Sequence, residues 1–248
     1  MNSKLAKLVL TAGIGLALVL SFSCSSDVNS GGSGDGGKCG DIDTLVDTRD
    51  NKPYKFVKIG SQTWMAENLN YRGIEPDTLG RCYDYNEDNC DIYGRLYDWE
   101  TAVALPGCND EACASQITAN HQGICPDGWH IPSDAEWGVL VQFVNPGCSF
   151  TEDNCRKAGQ LLKSVNGWKS GGKGEDKYCF SALPGGSGGS DNFAGIGSSG
   201  DWWSSTEDIN SIFGDVPYYL EMVYAYPGVG RASFSKGFFY SVRCLQNY

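Results

Sequence analysis

The cysteines of this chain constrain its fold more than any other feature. The sequence holds 11 cysteines in 248 residues, and Cys24 follows an N-terminal segment typical of an export signal. Setting Cys24 aside leaves an even number of cysteines. In an exported chain, such a set predicts a framework of disulfide bonds. We therefore expect a disulfide-rich domain with many loops.

Residues 1–23 have the pattern of a signal peptide. Lys4 and Lys7 give this segment a positive start, and residues 8–20 are largely apolar. A membrane-spanning helix needs roughly 20 apolar residues, so this shorter apolar stretch favours a signal peptide that is removed.

The residues around the end of this signal resemble a bacterial lipoprotein signal. Ser23 is a small residue before Cys24, although Ser21 stands where such signals carry leucine. The resemblance implies acyl chains on Cys24, and Ser25 after it is similar to signals for outer-membrane sorting. We expect a lipid-anchored protein of the outer membrane, exposed at the surface or facing the periplasm. An ordinary secreted protein with a spare cysteine is the alternative.

The mature chain is predicted to begin with a flexible tether and to be strongly acidic. Residues 24–38 are mostly Ser, Gly and Asp, which is typical of a flexible linker. Removing Lys4 and Lys7 takes the formal net charge from −11 to about −13. Such a chain repels nucleic acid, so we expect no nucleic-acid partner.

Spacing divides the remaining cysteines into two groups. Three pairs are close enough in the sequence to close small loops: Cys82–Cys90, Cys108–Cys113 and Cys148–Cys155. The other four must pair over long distances, and we favour Cys125–Cys244 and Cys39–Cys179, although sequence alone does not determine the connectivity. The chain has no CxxC pair, so we expect neither a zinc site nor another metal site.

Hydrophobic patterns predict short helices in the first part of the domain and strands in the last part. A hairpin is predicted over 54–66 with its turn at Gly60-Ser61, and Ser133 with Glu136 forms a capping box that begins a helix. Later segments read as strands: 202–205, 218–225, 231–235 and 238–245. This order predicts a single α+β domain over residues 39–248.

Six separated motifs then carry a resemblance to a known family. They are IGSQTWMAENLNY at 59–71, YGRLYDW at 93–99, CPDGWHIP at 125–132, FSALPGG at 180–186, WWSS at 202–205 and SVRC at 241–244. In this order they closely resemble the Fibrobacter succinogenes major paralogous domain, from about Asp47 to Tyr248. Members of that family are commonly exported, often as lipoproteins, and have no agreed activity. A more distant similarity to the formylglycine-generating and C-type-lectin-like fold implies a C-type-lectin-like architecture.

No arrangement of residues predicts a catalytic site or a cofactor. His130 lacks an identifiable acidic or nucleophilic partner, so we expect a hydrogen-bonded structural histidine. The enzyme alternative is an oxidase related to the formylglycine-generating proteins, and it would need reduced Cys179 and Cys244. An even cysteine count argues that both are oxidised instead.

The aromatic residues of the last strands favour a binding role. Trp202 and Trp203 are candidate contacts for sugar rings, with Asp201 as a hydrogen-bond acceptor. In a strand, however, one of two adjacent rings must point inward, so we expect most of these aromatic residues to be structural. The tyrosines after them, Tyr218, Tyr219, Tyr224 and Tyr226, are further candidates. A calcium site is not predicted, because the Glu-Pro-Asn run of lectins is missing. We expect noncatalytic recognition of a polysaccharide or a surface protein, and a purely structural surface scaffold is the alternative.

Overall fold

The computed structural model describes residues 41–74, 78–152, 155–212 and 214–248. The predicted signal peptide, Cys24, the linker and Cys39 lie outside these residues. None of the helices in the described chain combines the length and apolar character that a membrane crossing requires.

Within the described residues the chain forms a mixed, sheet-rich domain with few helices. The strands are β1 (Ile42–Asp47), β2 (Lys52–Ile59), β3 (Gln62–Met65), β4 (Leu96–Tyr97), β5 (Trp129–His130), β6 (Ser187–Gly188), β7 (Phe193–Ala194), β8 (Ser199–Asp208), β9 (Val216–Val223), β10 (Gly230–Ser233), β11 (Tyr240–Ser241) and β12 (Leu245–Gln246). The α-helices are α1 (Glu87–Tyr93), α2 (Trp99–Val103), α3 (Asp134–Val144) and α4 (Ala158–Leu162). Short 3-10 turns occur at Tyr83–Tyr85, Ala114–Gln116 and Phe150–Glu152.

The first sheet joins both ends of the described chain. Its strand order is β1-β2-β3-β12-β5, and neighbouring strands are antiparallel. The predicted hairpin is confirmed: β2 and β3 pair with Ile59 opposite Gln62, and Gly60 turns at φ +63. Only glycine fits well there, because a Cβ on Gly60 would also lie 2.8 Å from the Phe143 ring.

The second sheet contains the long strands predicted in the last part of the chain. Its order is β10-β9-β8-β11-β4, with β8 parallel to β11 and the other neighbours antiparallel. Strands β6 and β7 form a separate two-stranded sheet. Every residue of β8 from 200 to 205 is buried, so both faces of this central strand are covered.

The segment predicted as one strand over 238–245 is instead two short strands in different sheets. β11 belongs to the second sheet and β12 to the first. Between them the backbone carbonyls of Val242 and Cys244 accept hydrogen bonds from Leu69 and Met65, at 2.9 and 3.0 Å. These bonds hold the crossing segment to residues 65–69, and the two ends of the segment pair with strands of different sheets, so one continuous strand does not form.

Helix α3 confirms the capping box. The Ser133 hydroxyl accepts a hydrogen bond from the Glu136 backbone N–H, and the Glu136 carboxylate accepts one from the Ser133 backbone N–H at 2.8 Å. The helical spacing then buries one face of the helix in the core: Trp137, Leu140, Val141 and Val144.

Four disulfides are present in the described chain. The structure forms the three short-range pairs, Cys82–Cys90, Cys108–Cys113 and Cys148–Cys155, and the long-range pair Cys125–Cys244. Cys179 is also disulfide-bonded. The Cys125–Cys244 bond spans 119 residues, and closing so long a loop stabilises a fold by about 5 kcal/mol in the chain-entropy model.

Asn68 connects segments that are far apart in the sequence. Its Oδ1 accepts from Trp202 Nε1 at 2.8 Å and from Arg243 Nε and Nη2 at 2.9 and 2.6 Å. Its Nδ2 donates to the Tyr93 carbonyl at 2.8 Å and to the Ser241 hydroxyl at 3.2 Å. Three side chains and one backbone carbonyl therefore depend on this one amide for their position.

Arg243 is the buried charge at the centre of this network. Its side chain is fully buried, and it also donates to the carbonyls of Phe180 and Met65. Burial lowers the pKa of Arg243 to about 9, so the guanidinium is still charged at neutral pH. The oxygen atoms of Asn68, Phe180 and Met65 take the place of the water that would solvate this guanidinium. Without such partners a buried charge would be very unfavourable.

We predict that Asn68→Ala lowers the free energy of unfolding by about 3 kcal/mol or more, because it leaves buried donors of Trp202 and Arg243 unsatisfied. Asn70→Ala is the matched control, since the Asn70 amide makes a single hydrogen bond to the Cys90 carbonyl and should cost about 1 kcal/mol. Urea denaturation at neutral pH measures both. Equal losses in the two variants would contradict the assigned role of Asn68.

Candidate ligand-binding pocket

The three residues predicted as ligand contacts lie in the interior. Trp202 and Trp203 are 0 % exposed and Asp201 is 5 % exposed. The prediction for the two tryptophans assumed a strand with one open face, whereas β8 is covered on both. Trp203 donates to the Tyr97 carbonyl at 2.7 Å, and Trp202 donates to Asn68. Neither ring can offer a face to a sugar, which corrects this part of the prediction.

Asp201 is a buried acid rather than a surface acceptor. It lies opposite Glu221 on β9, and the Ser199 hydroxyl donates to it at 3.4 Å. Burial and the neighbouring Glu221 charge raise the pKa of Asp201 from 3.8 to about 8. Asp201 therefore carries a proton at neutral pH, and it is unsuited to binding a cation there.

His130 does have an acidic partner, which the sequence analysis missed. The ring is 1 % exposed, with Nδ1 2.7 Å from Asn247 Oδ1 and Nε2 3.0 Å from Glu136 Oε1. Glu136 also accepts from the Ser133 backbone and hydroxyl and from the Tyr248 hydroxyl. The signal was present, because the capping box turns the Glu136 side chain back toward the residues before Ser133.

These contacts give the His130 cluster a structural role. We use this name for His130, Ser133, Glu136, Asn247 and Tyr248. Burial opposes ionisation of Glu136, but hydrogen bonds from His130, Ser133 and Tyr248 outweigh it and lower the pKa of Glu136 to about 2. Both ring nitrogens of His130 and both oxygens of Glu136 are occupied. The cluster ties the C-terminal residues Asn247 and Tyr248 to the start of α3.

Tyr224 and Tyr226 are the predicted aromatics that lie beside a polar cavity. They follow β9 in a turn, and Tyr224 is 42 % exposed. A cavity of about 190 Å³ lies between this turn, the end of α4 and the glycine-rich segment 171–173. Its lining residues are Gln160, Lys163, Gly171, Gly172, Lys173, Tyr224, Ala225, Tyr226 and Pro227. We call this cavity the Tyr224 pocket.

The walls of the Tyr224 pocket depend on close backbone approach. A Cβ on Gly159 would lie 2.0 Å from the Gly228 carbonyl oxygen, and a Cβ on Gly174 would lie 1.9 Å from the Lys163 carbonyl oxygen. No other residue type fits at these two positions without moving the backbone. Packed backbone therefore sets the shape of the pocket before any ligand binds.

Lys163 forms the buried side of the pocket. Its residue exposure is 2 %, and its ammonium donates to the carbonyls of Val223 and Tyr226, the latter at 2.7 Å. The ammonium also lies 4.7 Å from the centre of the Trp168 ring. Burial lowers the pKa of Lys163 to about 8, so the side chain is mostly charged at neutral pH.

The remaining side chains make the rim polar. Gln160 and Lys173 are exposed, and the Gln160 amide donates to the Glu175 carboxylate at 2.9 Å. The lining thus combines two tyrosine side chains, an amide and ammonium groups. Such a set can bind a small polar group by stacking, hydrogen bonding and charge.

The described residues bear on two further chemistries, oxidation that requires free thiols and metal binding. Cys244 is bonded to Cys125, and Cys179 is disulfide-bonded, so neither is the free thiol that the oxidase alternative requires. In the described part of the chain, one cluster has three ligand atoms close enough for a metal ion: Cys82, Glu87 and Cys90. Its two cysteines are bonded to each other, which leaves no thiolate pair for a metal.

The fold is that of a disulfide-rich, mixed α and β domain with a small polar cavity. The chain belongs to the Fibrobacter succinogenes major domain family, whose family model matches residues 57–246. This confirms the family that the six motifs indicated. No curated protein and no solved structure matches the chain.

We predict that Asp201 lowers the stability of the fold as pH rises. The pKa of Asp201 in the folded chain, about 8, exceeds its ordinary value of 3.8. Between pH 4 and pH 8 the unfolded chain has therefore released this proton while the folded chain still holds it. Rising pH thus stabilises the unfolded state relative to the folded state. Asp201→Asn should remove that part of the pH dependence in denaturation curves from pH 4 to 8. Asp191→Asn, at an exposed site, is the control, and identical pH profiles for all three proteins would contradict the prediction.

Proposed function

We propose that this protein is a noncatalytic recognition domain, held at the bacterial outer membrane by a lipid on Cys24, that binds polysaccharide through the Tyr224 pocket. The observation that carries this proposal is the lining of the pocket. Tyr224, which is 42 % exposed, lines the pocket beside amide and ammonium groups, and a sugar ring presents an apolar C–H face and hydroxyl groups that such side chains can bind.

The size and rigidity of the Tyr224 pocket support the same proposal. At about 190 Å³ it is smaller than the roughly 300–1,000 Å³ of pockets for drug-sized ligands, so it suits a single sugar unit of a chain. The backbone beneath the pocket is closely packed at Gly159 and Gly174, so little backbone entropy is lost there when a ligand binds. A polymer that repeats the sugar unit can then gain from many anchored copies of the domain.

We also propose that the domain has a C-type-lectin-like architecture. The support is the arrangement of the elements: the first and last strands share one sheet, and the long strands β8 and β9, with the shorter β10, form most of the other. This arrangement leaves the turn after β9 at the surface, where the Tyr224 pocket lies. Architecture alone carries no ligand assignment.

We predict that the processed protein binds glycans on a polysaccharide array and that Tyr224→Ala weakens this binding about tenfold, the amount expected when an aromatic contact worth about 1.4 kcal/mol is lost. Tyr85→Ala is the control, since Tyr85 is 64 % exposed on a different segment. Absence of binding to every glycan would contradict the proposal and favour a surface scaffold or a protein partner.

We predict that mass spectrometry of the mature N-terminus finds acyl chains on Cys24 and that Cys24→Ser moves the protein from the membrane fraction to the soluble fraction. The physical reason is that each buried methylene contributes about 0.8 kcal/mol, so two or more chains anchor stably. An unmodified Cys24 at the N-terminus, or a membrane-bound Cys24→Ser variant, would contradict the lipid anchor.

A further inference from the structure

The Tyr224 pocket is cationic in a protein that is otherwise acidic. The whole chain has a formal charge of −11. Among the described residues, the charged side chains that line the pocket are Lys163 and Lys173, and none of the lining residues there carries a carboxylate. The Glu175 carboxylate is near the rim, where it accepts from the Gln160 amide, but it is not part of the lining. The lining of the pocket therefore carries positive charge, whereas the chain as a whole is negatively charged.

Lys163 differs from the other enclosed cations in how its charge is balanced. Arg231 makes two hydrogen bonds to the Asp134 carboxylate, at 2.7 and 2.8 Å, and Lys236 pairs with the Glu207 carboxylate. Within the described residues no carboxylate pairs with Lys163, whose ammonium has two carbonyl partners and the Trp168 ring. Buried charges are normally paired.

A carbonyl-bound cation can also be purely structural, as Arg243 shows. Arg243, however, is fully enclosed, with its donors directed at Asn68 and backbone carbonyls. Lys163 instead borders an open cavity, and an ammonium has three N–H donors, of which two are used. Lys163 thus has one N–H donor beyond its two carbonyl bonds, and its charge has no carboxylate partner among the described residues.

We propose that the ligand of the Tyr224 pocket is an acidic sugar, a uronic acid unit whose carboxylate interacts with Lys163 and Lys173 while its ring lies on Tyr224. This inference rests on the proposed function and adds the chemical class of the polysaccharide. A carboxylate near a partly enclosed ammonium interacts more strongly than the same pair in bulk water, because the local dielectric constant is lower. Among the described lining residues there is no arginine, so the carboxylate would meet ammonium groups rather than a bidentate fork.

The test compares acidic polysaccharides with their own neutral forms. Polygalacturonate, alginate and hyaluronan are each presented to the processed full chain beside the same polymer with its carboxylates methyl-esterified. Binding is measured by affinity electrophoresis at low salt and again at about 0.5 M salt, where exposed charges more than about 5 Å apart are screened. The acidic form of at least one polymer should bind about tenfold more tightly than its ester, with the difference reduced at high salt.

Charge-reversal variants locate the effect. Lys173→Glu should weaken binding of the acidic polymer about tenfold, and by a clearly larger factor than it weakens binding of the ester, which lacks the carboxylate charge. Lys58→Glu is the matched control, because Lys58 is also exposed but lies on β2. Lys163→Met is the second variant at the pocket, and its circular dichroism spectrum decides whether its binding result is interpretable. Lys173→Glu keeps the test decisive if Lys163→Met does not fold.

The outcomes separate the two proposals. Equal binding of acid and ester, with both weakened by Tyr224→Ala, would overturn the acidic-sugar inference and leave polysaccharide recognition standing. Equal effects of Lys173→Glu and Lys58→Glu would also overturn it, because the charge effect would not come from the pocket. Failure to bind any of the six polymers, together with a silent glycan array, would overturn both proposals.

Discussion

The burial of Arg243 is the constraint on which the rest of this structure depends. A guanidinium without water must have oxygen partners, and Asn68 supplies one while fixing Trp202 through the same oxygen. The backbone carbonyls of Phe180 and Met65 supply others. Next to Arg243, the Cys125–Cys244 bond joins the last strand of the chain to the segment before β5. Each of the six sequence motifs therefore contributes a residue to this network or lies beside it.

This network changes what the family motifs mean. Their most characteristic polar and aromatic residues are buried and satisfy one another, so they specify how the two sheets are held together. The Tyr224 pocket lies elsewhere, in residues 160–173 and 224–227, outside every motif. The motifs thus identify the fold, and they say little about the ligand. A binding site on loops carried by a rigid scaffold is a common arrangement in proteins.

The sequence predicted local features well because their causes are local. The capping box at Ser133, the hairpin turn at Gly60 and the short disulfide loops depend on residues within a few positions of each other. Trp202 and Trp203 were misplaced because strand alternation assumes one open face, and the cover over β8 comes from distant segments. The split of 238–245 and the role of Lys163 were likewise not predictable, since both depend on partners more than 50 residues away.

The central claim is that the motif network builds the fold and that the Tyr224 pocket binds the ligand. A ¹H–¹⁵N NMR titration of the processed protein with a short galacturonate oligomer tests this claim most directly. The account predicts that saturable shift changes concentrate at Gln160, Lys163, Gly172, Lys173 and Tyr224, while the amides of Asn68, Trp202 and Arg243 stay unchanged. Shift changes centred on the motif residues, or none at any site, would contradict it.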